Sequence, residues 1–201
     1  MYKNIIFDYG QVIISFDPYY MTKVYIKNET VCKELSQIIF DRLYWDRLDD
    51  GSITDDEVKE EIIKRVPKEY ADAALKVYNN WYHNNPLIPG IKELIGTLKA
   101  KGVKLYLISN ISIGFAENYM NIQGVSEVLS LFDGLVFSGP LGTVKPNRDI
   151  FEHLLNKYSL RPEDCVFIDD SEKNLKGAAL IGINTIHFTG DVKKLEEELK
   201  K

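Results

Sequence analysis

The sequence predicts an α/β fold: a Rossmann-like parallel sheet core with an inserted α-helical cap domain. From residue 86 to the end, short apolar runs alternate with segments of helical periodicity, a pattern typical of a parallel sheet with helices on both faces. Another apolar run lies at the start of the chain, and the long segment between the two has helical periodicity throughout. With 201 residues and 45% hydrophobic side chains, the chain suffices for one domain with a large insertion or for two small domains.

The first predicted strand ends in a carboxylate. Ile5, Ile6 and Phe7 form an apolar run without alternation, which indicates a strand buried on both faces. Asp8 then stands at the carboxyl end of this strand, and in open parallel sheets that edge is where ligands bind. Gly10 lets the backbone come close to whatever Asp8 holds, because glycine has no side chain. This stretch alone leaves open that Asp8 only caps a turn.

The segment that follows is predicted to form about four helices and no strand. Residues 30–43 place their apolar side chains on one face of a helix. Thr54 and Glu57 have the spacing of a capping box that begins a helix through residue 66. Pro67 suits the first turn of the next helix, which runs to about residue 83.

This helical segment divides the chain into two domains. We assign residues 1–15 and 86–201 to the α/β core and residues 16–85 to a helical cap domain. Because the insertion directly follows the first strand, we expect it to lie over the sheet edge that carries Asp8. A lid belongs at that position.

The second half of the chain alternates helix and strand, which predicts right-handed crossovers and a parallel sheet. The predicted elements are a helix over 91–101, a strand over 104–109, helices over 112–122 and 125–131, a strand over 135–138, a loop over 139–144, a helix over 146–158, a strand over 165–169, a helix over 172–181 and a strand over 184–187. The charged tail, residues 193–201, is predicted to be a solvated helix face.

Composition excludes several classes of partner. The net charge of −5 argues against a nucleic-acid footprint and against adhesion to anionic membranes. No apolar run approaches the length of a membrane span, and the N-terminus lacks a signal-peptide pattern. Of the two cysteines, Cys32 and Cys165, the second is expected to be an inert buried thiol. We therefore expect a cytoplasmic protein that acts on a small molecule, with a monomer as a compatible state.

Three further strand ends carry polar residues suited to a ligand site. Ser109 and Asn110 offer a hydroxyl and backbone N–H groups at a helix start, which suit phosphate but also an N-cap. Lys145 follows the third strand and would neutralise phosphate charge, unless it is an ordinary surface lysine. Asp169 and Asp170 end the fourth strand, where adjacent carboxylates repel unless a cation or hydrogen bonds offset them. Such oxygen ligands suit Mg²⁺, and an N-cap is the alternative.

These strand ends, taken in order, resemble the four motifs of the haloacid dehalogenase superfamily. Asp8 matches the nucleophile of the first motif, Ser109 the second, Lys145 the third, and the Asp169–Asp170 pair the fourth. The similarity covers the whole chain, and the segment between residues 13 and 87 looks like the helical cap that follows the first motif in one subfamily.

The resemblance implies a Mg²⁺-dependent phosphomonoester hydrolase that acts through an aspartyl-phosphate on Asp8. The metal ligands it implies are Asp8, the backbone carbonyl of Gly10, and one of Asp169 and Asp170, of which Asp170 is favoured as the direct ligand. It further implies that Ser109 and Asn110 hold phosphate oxygens, and that Lys145 orders Asp8 and the transferring group.

One position departs from the family pattern. The phosphatases of this family usually carry an acid/base aspartate two residues after the nucleophile, and here that residue is Gly10. Without it, esters whose leaving group needs little protonation are favoured. The glycine subset is similar to α-D-glucose-1-phosphatase, which suggests a sugar 1-phosphate or a similar small metabolite. Asp17 and Tyr9 are substitute acids near in sequence, although neither is expected to reach the leaving group.

Two other functions fit the same residues. A 2-haloacid dehalogenase uses the same aspartate without a metal. In that mechanism the adjacent carboxylates of Asp169 and Asp170 would have no role. A catalytically weak binding or regulatory protein of this fold is the second alternative, since fold alone does not establish activity.

Overall fold

A central parallel sheet carries the chain's core in the computed structural model, which describes residues 2–200. Its five strands lie in the order β3-β2-β1-β4-β5. They are β1 (Asn4–Phe7), β2 (Lys104–Ser109), β3 (Gly134–Phe137), β4 (Cys165–Asp169) and β5 (Asn184–His187). β1 lies in the middle, with Phe7 in register with Leu107 of β2 and Ile168 of β4. The strand predictions are confirmed, except that β1 begins one residue earlier, at Asn4, and β3 covers Gly134–Phe137 where 135–138 was predicted.

The sheet is buried on both faces because its side chains alternate between two hydrophobic clusters. Ile5 and Phe7 belong to one cluster, while Ile6 belongs to the other. Each of these three side chains is at most 1% exposed. This two-sided burial explains why the strands have continuous apolar sequences.

Seven helices with their turns complete the core region of the described chain. They are α6 (Ile91–Ala100), α7 (Ile113–Asn118), α8 (Val125–Leu129), α9 (Ser138–Leu141), α10 (Arg148–Lys157), α11 (Glu172–Ala179) and α12 (Val192–Lys200). α9 replaces part of the loop predicted over 139–144. The helix predicted from Ser112 ends early, because a 3₁₀ turn at Tyr119–Asn121 follows α7.

Two predictions about the helices after β3 need correction. The helix predicted to open at Pro146 begins at Arg148, since Asn147 has non-helical dihedrals and is the N-cap residue. The C-terminal helix is more than a solvated face, because Leu195 and Leu199 are buried against the core. Lys201, the last residue of that prediction, lies outside the described residues.

The inserted segment contains five α-helices and two 3₁₀ turns. The helices are α1 (Pro18–Tyr25), α2 (Glu29–Ile39), α3 (Arg42–Asp49), α4 (Asp55–Arg65) and α5 (Ala71–Asn79), and the 3₁₀ turns are Lys68–Tyr70 and Trp81–His83. The helix predicted over 30–43 is in fact two helices, because Asp41 leaves the helical path and caps α3 by accepting a hydrogen bond from Leu43 N–H. The capping box of Thr54 and Glu57 is confirmed at the start of α4.

The insertion is joined to the core by two chain segments that run side by side. Ser15 N–H donates to Pro86 O at 2.9 Å, and Ile88 N–H donates to Ile13 O at 2.9 Å. Beyond these connections, Trp81 stacks on Phe115 of α7 with ring centroids 6.0 Å apart. The helices of the insertion therefore lie over the carboxyl edge of the sheet.

None of the helices within residues 2–200 combines the length and the apolar character that crossing a membrane requires.

Candidate active site

A cavity of about 460 Å³ lies between the carboxyl edge of the sheet and the inserted helices. The sheet edge contributes every residue that the sequence singled out except the fully buried Asp169, because parallel strands end on the same side. From the core the lining includes Asp8, Gly10, Ser109, Asn110, Lys145 and Asp170. From the insertion it includes aromatic side chains together with Arg42 and Asp49. The predicted convergence of the strand ends is thus observed.

Lys145 is the electrostatic centre of this edge. Its Nζ lies 2.6 Å from Asp8 Oδ1 and 2.8 Å from Asp169 Oδ2, and the residue is only 4% exposed. Burial opposes the charge of the ammonium, but the two carboxylates outweigh it and raise the pKa of Lys145. Lys145 is therefore a buried, charged bridge between β1 and β4 and not a surface lysine.

The side chain of Asn110 contacts the backbone of Lys145. Its Oδ1 accepts from Lys145 N–H at 2.8 Å, and its Nδ2 donates to Lys145 O at 3.1 Å. These two bonds hold the backbone of Lys145 in place after β3. The amide group is therefore already engaged with the protein, which leaves the backbone N–H of Asn110 as its group for a ligand.

Asp8 is held at the sheet edge by two donors to one oxygen. Its Oδ1 accepts from Tyr9 N–H at 2.6 Å as well as from Lys145. Burial raises the pKa of Asp8 to about 7, Lys145 acts against this shift, and Asp169 adds to it. No hydrogen bond to Oδ2 from any residue in the range 2–200 is present. One carboxylate oxygen of Asp8 is thus available to a ligand.

The two adjacent aspartates at the end of β4 have different environments. Asp169 is fully buried, and its carboxylate accepts from Lys145 Nζ, Ser171 N–H and Asn174 Nδ2. Asp170 lines the cavity, and burial raises the pKa of its carboxyl, with Asp169 adding to that shift. Asp169 is engaged by the protein, while Asp170 offers its carboxylate to the cavity.

The acidic residues of this edge fit a divalent cation. Asp8, Asp169 and Asp170 each present a carboxylate oxygen, and the three atoms lie within 4.8 Å of one another. Oxygen donors of this kind suit Mg²⁺, which also keeps several waters. A cation would offset the repulsion among three carboxylates that Lys145 alone does not neutralise.

Of the two substitute acids near in sequence, Asp17 is engaged in a helix cap and Tyr9 is buried. Asp17 caps α1 and accepts from Tyr20 N–H at 3.0 Å. Tyr9 is 2% exposed, and its hydroxyl finds no hydrogen-bond partner in the described part of the chain. At Gly10, an added Cβ would meet no atom within 4 Å. The missing side chain at position 10 is consequently not a steric requirement of the fold.

A carboxylate of the cavity wall that sequence reasoning missed is Asp49, at the C-terminal end of α3. In the sequence, Asp49 directly precedes the turn at Asp50 and Gly51 and therefore looks like an ordinary aspartate of a turn. Burial raises the pKa of Asp49 to about 7, with Arg42 acting against the shift and Asp46 adding to it. Only the packing of the insertion on the core reveals that this residue is half-buried in the cavity wall.

Replacing Asp49 by asparagine is expected to stabilise the protein at alkaline pH. The pKa of Asp49 is higher in the folded chain than in the unfolded chain, so the folded state binds more protons and loses stability as pH rises from about 4 towards about 7. The charged groups that act on it, from its own helix, the next turn and the core, are Arg42, Asp46, Asp50 and Lys145. Chemical denaturation should show a gain of about 1–3 kcal/mol for Asp49→Asn at pH 8.

The same gain should shrink at pH 5, because the folded wild type is then protonated at Asp49. Asp50→Asn is the matched control, since its Oδ1 accepts from Ser52 N–H at 2.8 Å, away from the cavity lining. A loss of stability in Asp49→Asn, or an equal gain at both pH values, contradicts the assignment of a raised pKa.

Comparisons with known proteins identify the family of this chain. A sequence model of the haloacid dehalogenase-like hydrolases matches residues 1–182. The sesquiterpene phosphatase astK of Aspergillus oryzae is 25% identical over 190 residues, which cover 94% of this chain and 90% of that protein.

Two solved structures share the fold. A dehalogenase has a TM-score of 0.72 at 16% identity, over 94% of this chain and 85% of the other. A haloacid dehalogenase family enzyme of Bacteroides thetaiotaomicron, in complex with magnesium and inorganic phosphate, has a TM-score of 0.69 at 24% identity, over 97% and 99%. The match of the family model over most of the sequence establishes that the chain belongs to the haloacid dehalogenase-like hydrolases and is an enzyme of that family.

Proposed function

We propose that this hydrolase is a Mg²⁺-dependent phosphomonoesterase in which Asp8 is the nucleophile. The observation that carries the proposal is the buried Asp8–Lys145–Asp169 chain of ion pairs at the floor of the cavity. It orients one oxygen of Asp8, leaves the other available, and holds one ammonium group in a fixed position at the sheet edge. Such preorganised charge stabilises a transferring phosphoryl group.

The reaction divides into two displacements. In the first, a carboxylate oxygen of Asp8 bonds to phosphorus while the bond from phosphorus to the ester oxygen breaks. In the second, a water oxygen attacks phosphorus, the bond to Asp8 breaks, and inorganic phosphate leaves. Lys145 holds Asp8 and balances charge in both steps, and Asp169 keeps Lys145 in position.

The remaining residues hold the phosphate and the cation. At the end of β2, the hydroxyl of Ser109 and the backbone N–H of Asn110 donate hydrogen bonds to phosphate oxygens. Asp8, Asp170 and the carbonyl of Gly10 are the proposed direct ligands of Mg²⁺, with Asp169 behind them. When bound, the cation reduces the repulsion between the carboxylate and the phosphate.

The insertion is proposed to be the cap domain that selects the substrate, with the bounds 16–85 against a core of 1–15 and 86–201. The paired backbone bonds of residues 13–15 with residues 86–88 support these bounds, since they mark the two points where the chain leaves and re-enters the core. The leaving group would then lie between the sheet edge and α3.

The first substrate class we propose is a small phosphorylated metabolite such as a sugar 1-phosphate. Gly10 provides no acid to protonate the leaving group, and general acid catalysis is worth about 10²–10⁴-fold in rate. Anomeric, aryl and acyl phosphates need that proton least. They should be hydrolysed faster than alkyl esters.

A second substrate class is favoured by the wall of the cavity. Phe16, Phe40, Trp45, Leu48 and Trp81 line it, and the Gln11 amide is engaged by the backbone of Phe16 at 3.1 and 3.2 Å. An apolar wall of this kind suits an apolar or aromatic leaving group better than sugar hydroxyls. The relative described as a sesquiterpene phosphatase points the same way.

The test is phosphate release from a panel of esters, each with Mg²⁺ and with a chelator. The panel contains anomeric sugar phosphates, sugar 6-phosphates, nucleotides, and aryl and long-chain alkyl phosphates, and a 2-haloacid is assayed for halide release. We expect metal-dependent phosphate release and no halide. Halide release that ignores the chelator identifies a dehalogenase, and a folded protein without either activity identifies a binding protein.

A further inference from the structure

The proposed chemistry lacks one component, the acid that protonates the leaving group. Alkyl oxygen is a poor leaving group as an anion, so the first displacement needs a proton donor at the ester oxygen. Position 10 has no side chain to supply it, Asp17 caps a helix, and the hydroxyl of Tyr9 is buried. The acid must therefore come from another part of the cavity wall.

Asp49 is a carboxylic acid on the opposite wall. It ends α3 in the insertion and lines the same cavity as Asp8 and Lys145. The charge of Lys145 acts on Asp49, although the two residues belong to opposite walls. The leaving group of an ester bound at Asp8 is expected to point away from the sheet edge and towards this wall.

The core fixes the position of Asp49 through Ser138. The hydroxyl of Ser138, at the start of α9, donates to the backbone carbonyl of Asp49 and accepts from Ile111 N–H at 2.8 Å. Ile111 follows the Ser109–Asn110 pair directly, so one hydroxyl joins the end of α3 to the proposed phosphate loop. The next turn is also close-packed, because a Cβ on Gly51 would clash with Gly139 O.

The carboxylate of Asp49 is free of the contacts that would make it purely structural. Among the described residues it takes part in no hydrogen bond or ion pair within bonding distance. The charged groups around it are committed elsewhere: Arg42 to Asp46 at 2.7 Å, Lys145 to Asp8 and Asp169, and Asp50 to Ser52 N–H. A half-buried carboxyl without a partner in a ligand cavity is poised to exchange a proton.

We propose that Asp49 is the general acid and base of this enzyme, supplied by the cap in place of the residue absent at position 10. This inference rests on the proposed phosphatase function. In the first displacement the protonated Asp49 carboxyl gives its proton to the ester oxygen as the P–O bond breaks and the Asp8–phosphorus bond forms. In the second, the Asp49 carboxylate takes a proton from the attacking water, the Asp8–phosphorus bond breaks, and Asp49 is again protonated.

The pKa of Asp49, raised to about 7 by burial, suits both half-reactions near neutral pH. An ester with a weakly basic leaving group still reacts faster than an alkyl ester when an acid assists, so the inference keeps the proposed substrate preference. That preference should be present in the wild type and become much steeper once Asp49 is removed.

The experiment compares kcat/KM of wild type, Asp49→Asn and Asp49→Ala on esters graded by the pKa of the leaving group. Nitrophenyl phosphate is at one end, and phenyl and alkyl phosphates follow. We expect a loss of about 10²-fold or more on the alkyl ester and less than about threefold on the nitrophenyl ester. The alkaline limb of the kcat/KM profile should also disappear in Asp49→Asn.

Asp50→Asn removes the same charge one residue further on and should leave both esters unchanged. An equal loss on all esters in both Asp49 variants, or no loss on any, overturns the inference while the phosphatase function stands. If the wild type releases phosphate from none of the esters, the proposed function fails and the role of Asp49 falls with it. Chemical denaturation of the variants, as described above, separates these outcomes from unfolding.

Discussion

Asp8→Asn is expected to reduce phosphate release by about 10⁴-fold or more, because it removes the proposed nucleophile and not merely a contact to it. Asparagine preserves the volume and the carbonyl oxygen of the side chain, so it still accepts from Tyr9 N–H. Lys145 keeps its ion pair with Asp169 at 2.8 Å, and the fold should therefore be retained. The measurement is phosphate release with the best ester of the panel, beside thermal unfolding of both proteins.

Asp149→Asn is the matched control for this variant, since Asp149 lies exposed in the first turn of α10. It should retain the wild-type rate. If folded Asp8→Asn retains more than about one hundredth of the wild-type rate, the nucleophile is another residue. A wild-type activity that depends on Asp8 but persists in the presence of a chelator would point instead to the dehalogenase alternative.

Lys145→Met is expected to have the largest effect on stability, together with loss of activity. The substitution keeps a long apolar stem but removes the only positive charge that contacts both Asp8 and Asp169 among the described residues. Breaking a buried ion pair by removing one partner leaves an uncompensated charge and costs about 3–5 kcal/mol. Urea unfolding at pH 8 measures this difference.

The effect of Lys145→Met should decrease at acid pH. The pKa of Asp8 is already raised to about 7 by burial with Lys145 present, and loss of the lysine raises it further. The carboxyl is then neutral at pH 5, so the penalty of an unpaired buried charge is smaller there. Adding Mg²⁺ at pH 8 should recover part of the lost stability by supplying the missing charge.

Lys176→Met is the control for this second prediction. Lys176 pairs with Glu172 on the surface of α11, with 78% and 70% of the two side chains exposed. Exposed pairs of this kind contribute at most about 1 kcal/mol. A destabilisation of Lys145→Met no larger than that of Lys176→Met contradicts the view of Lys145 as a buried bridge.

Local sequence determines the strands of this protein well. β2, β4 and β5 have the predicted bounds because each ends where an apolar run meets a polar residue or a turn. The insertion is less predictable, since the break between α2 and α3 depends on Asp41, whose side chain caps α3 and pairs with Arg65 of a different helix. In the sequence, nothing distinguishes a residue with these two roles from an exposed residue within a helix.

The convergence of Asp8, Ser109, Lys145 and Asp170 also follows from the sequence. Parallel strands connected by helices bring their carboxyl ends to one edge, so the order of the strand-end residues is sufficient. The local sequence does not show which of these side chains are engaged by the protein and which are available to a ligand. The engagement of the Asn110 side chain with the Lys145 backbone, and the contrast between Asp169 and Asp170, depend on distances across the sheet.

The sequence alone thus specifies the fold class, the edge where the chemistry takes place and the residue types that perform it, because strand patterning is local and sheet topology is restricted. The tertiary structure decides how each charge is used. Whether a carboxyl is ionised, paired or poised to exchange a proton depends on burial and on neighbours far away in the chain. Asp49 illustrates this difference, since only the packing of α3 against Ser138 places a turn aspartate in the wall of the cavity.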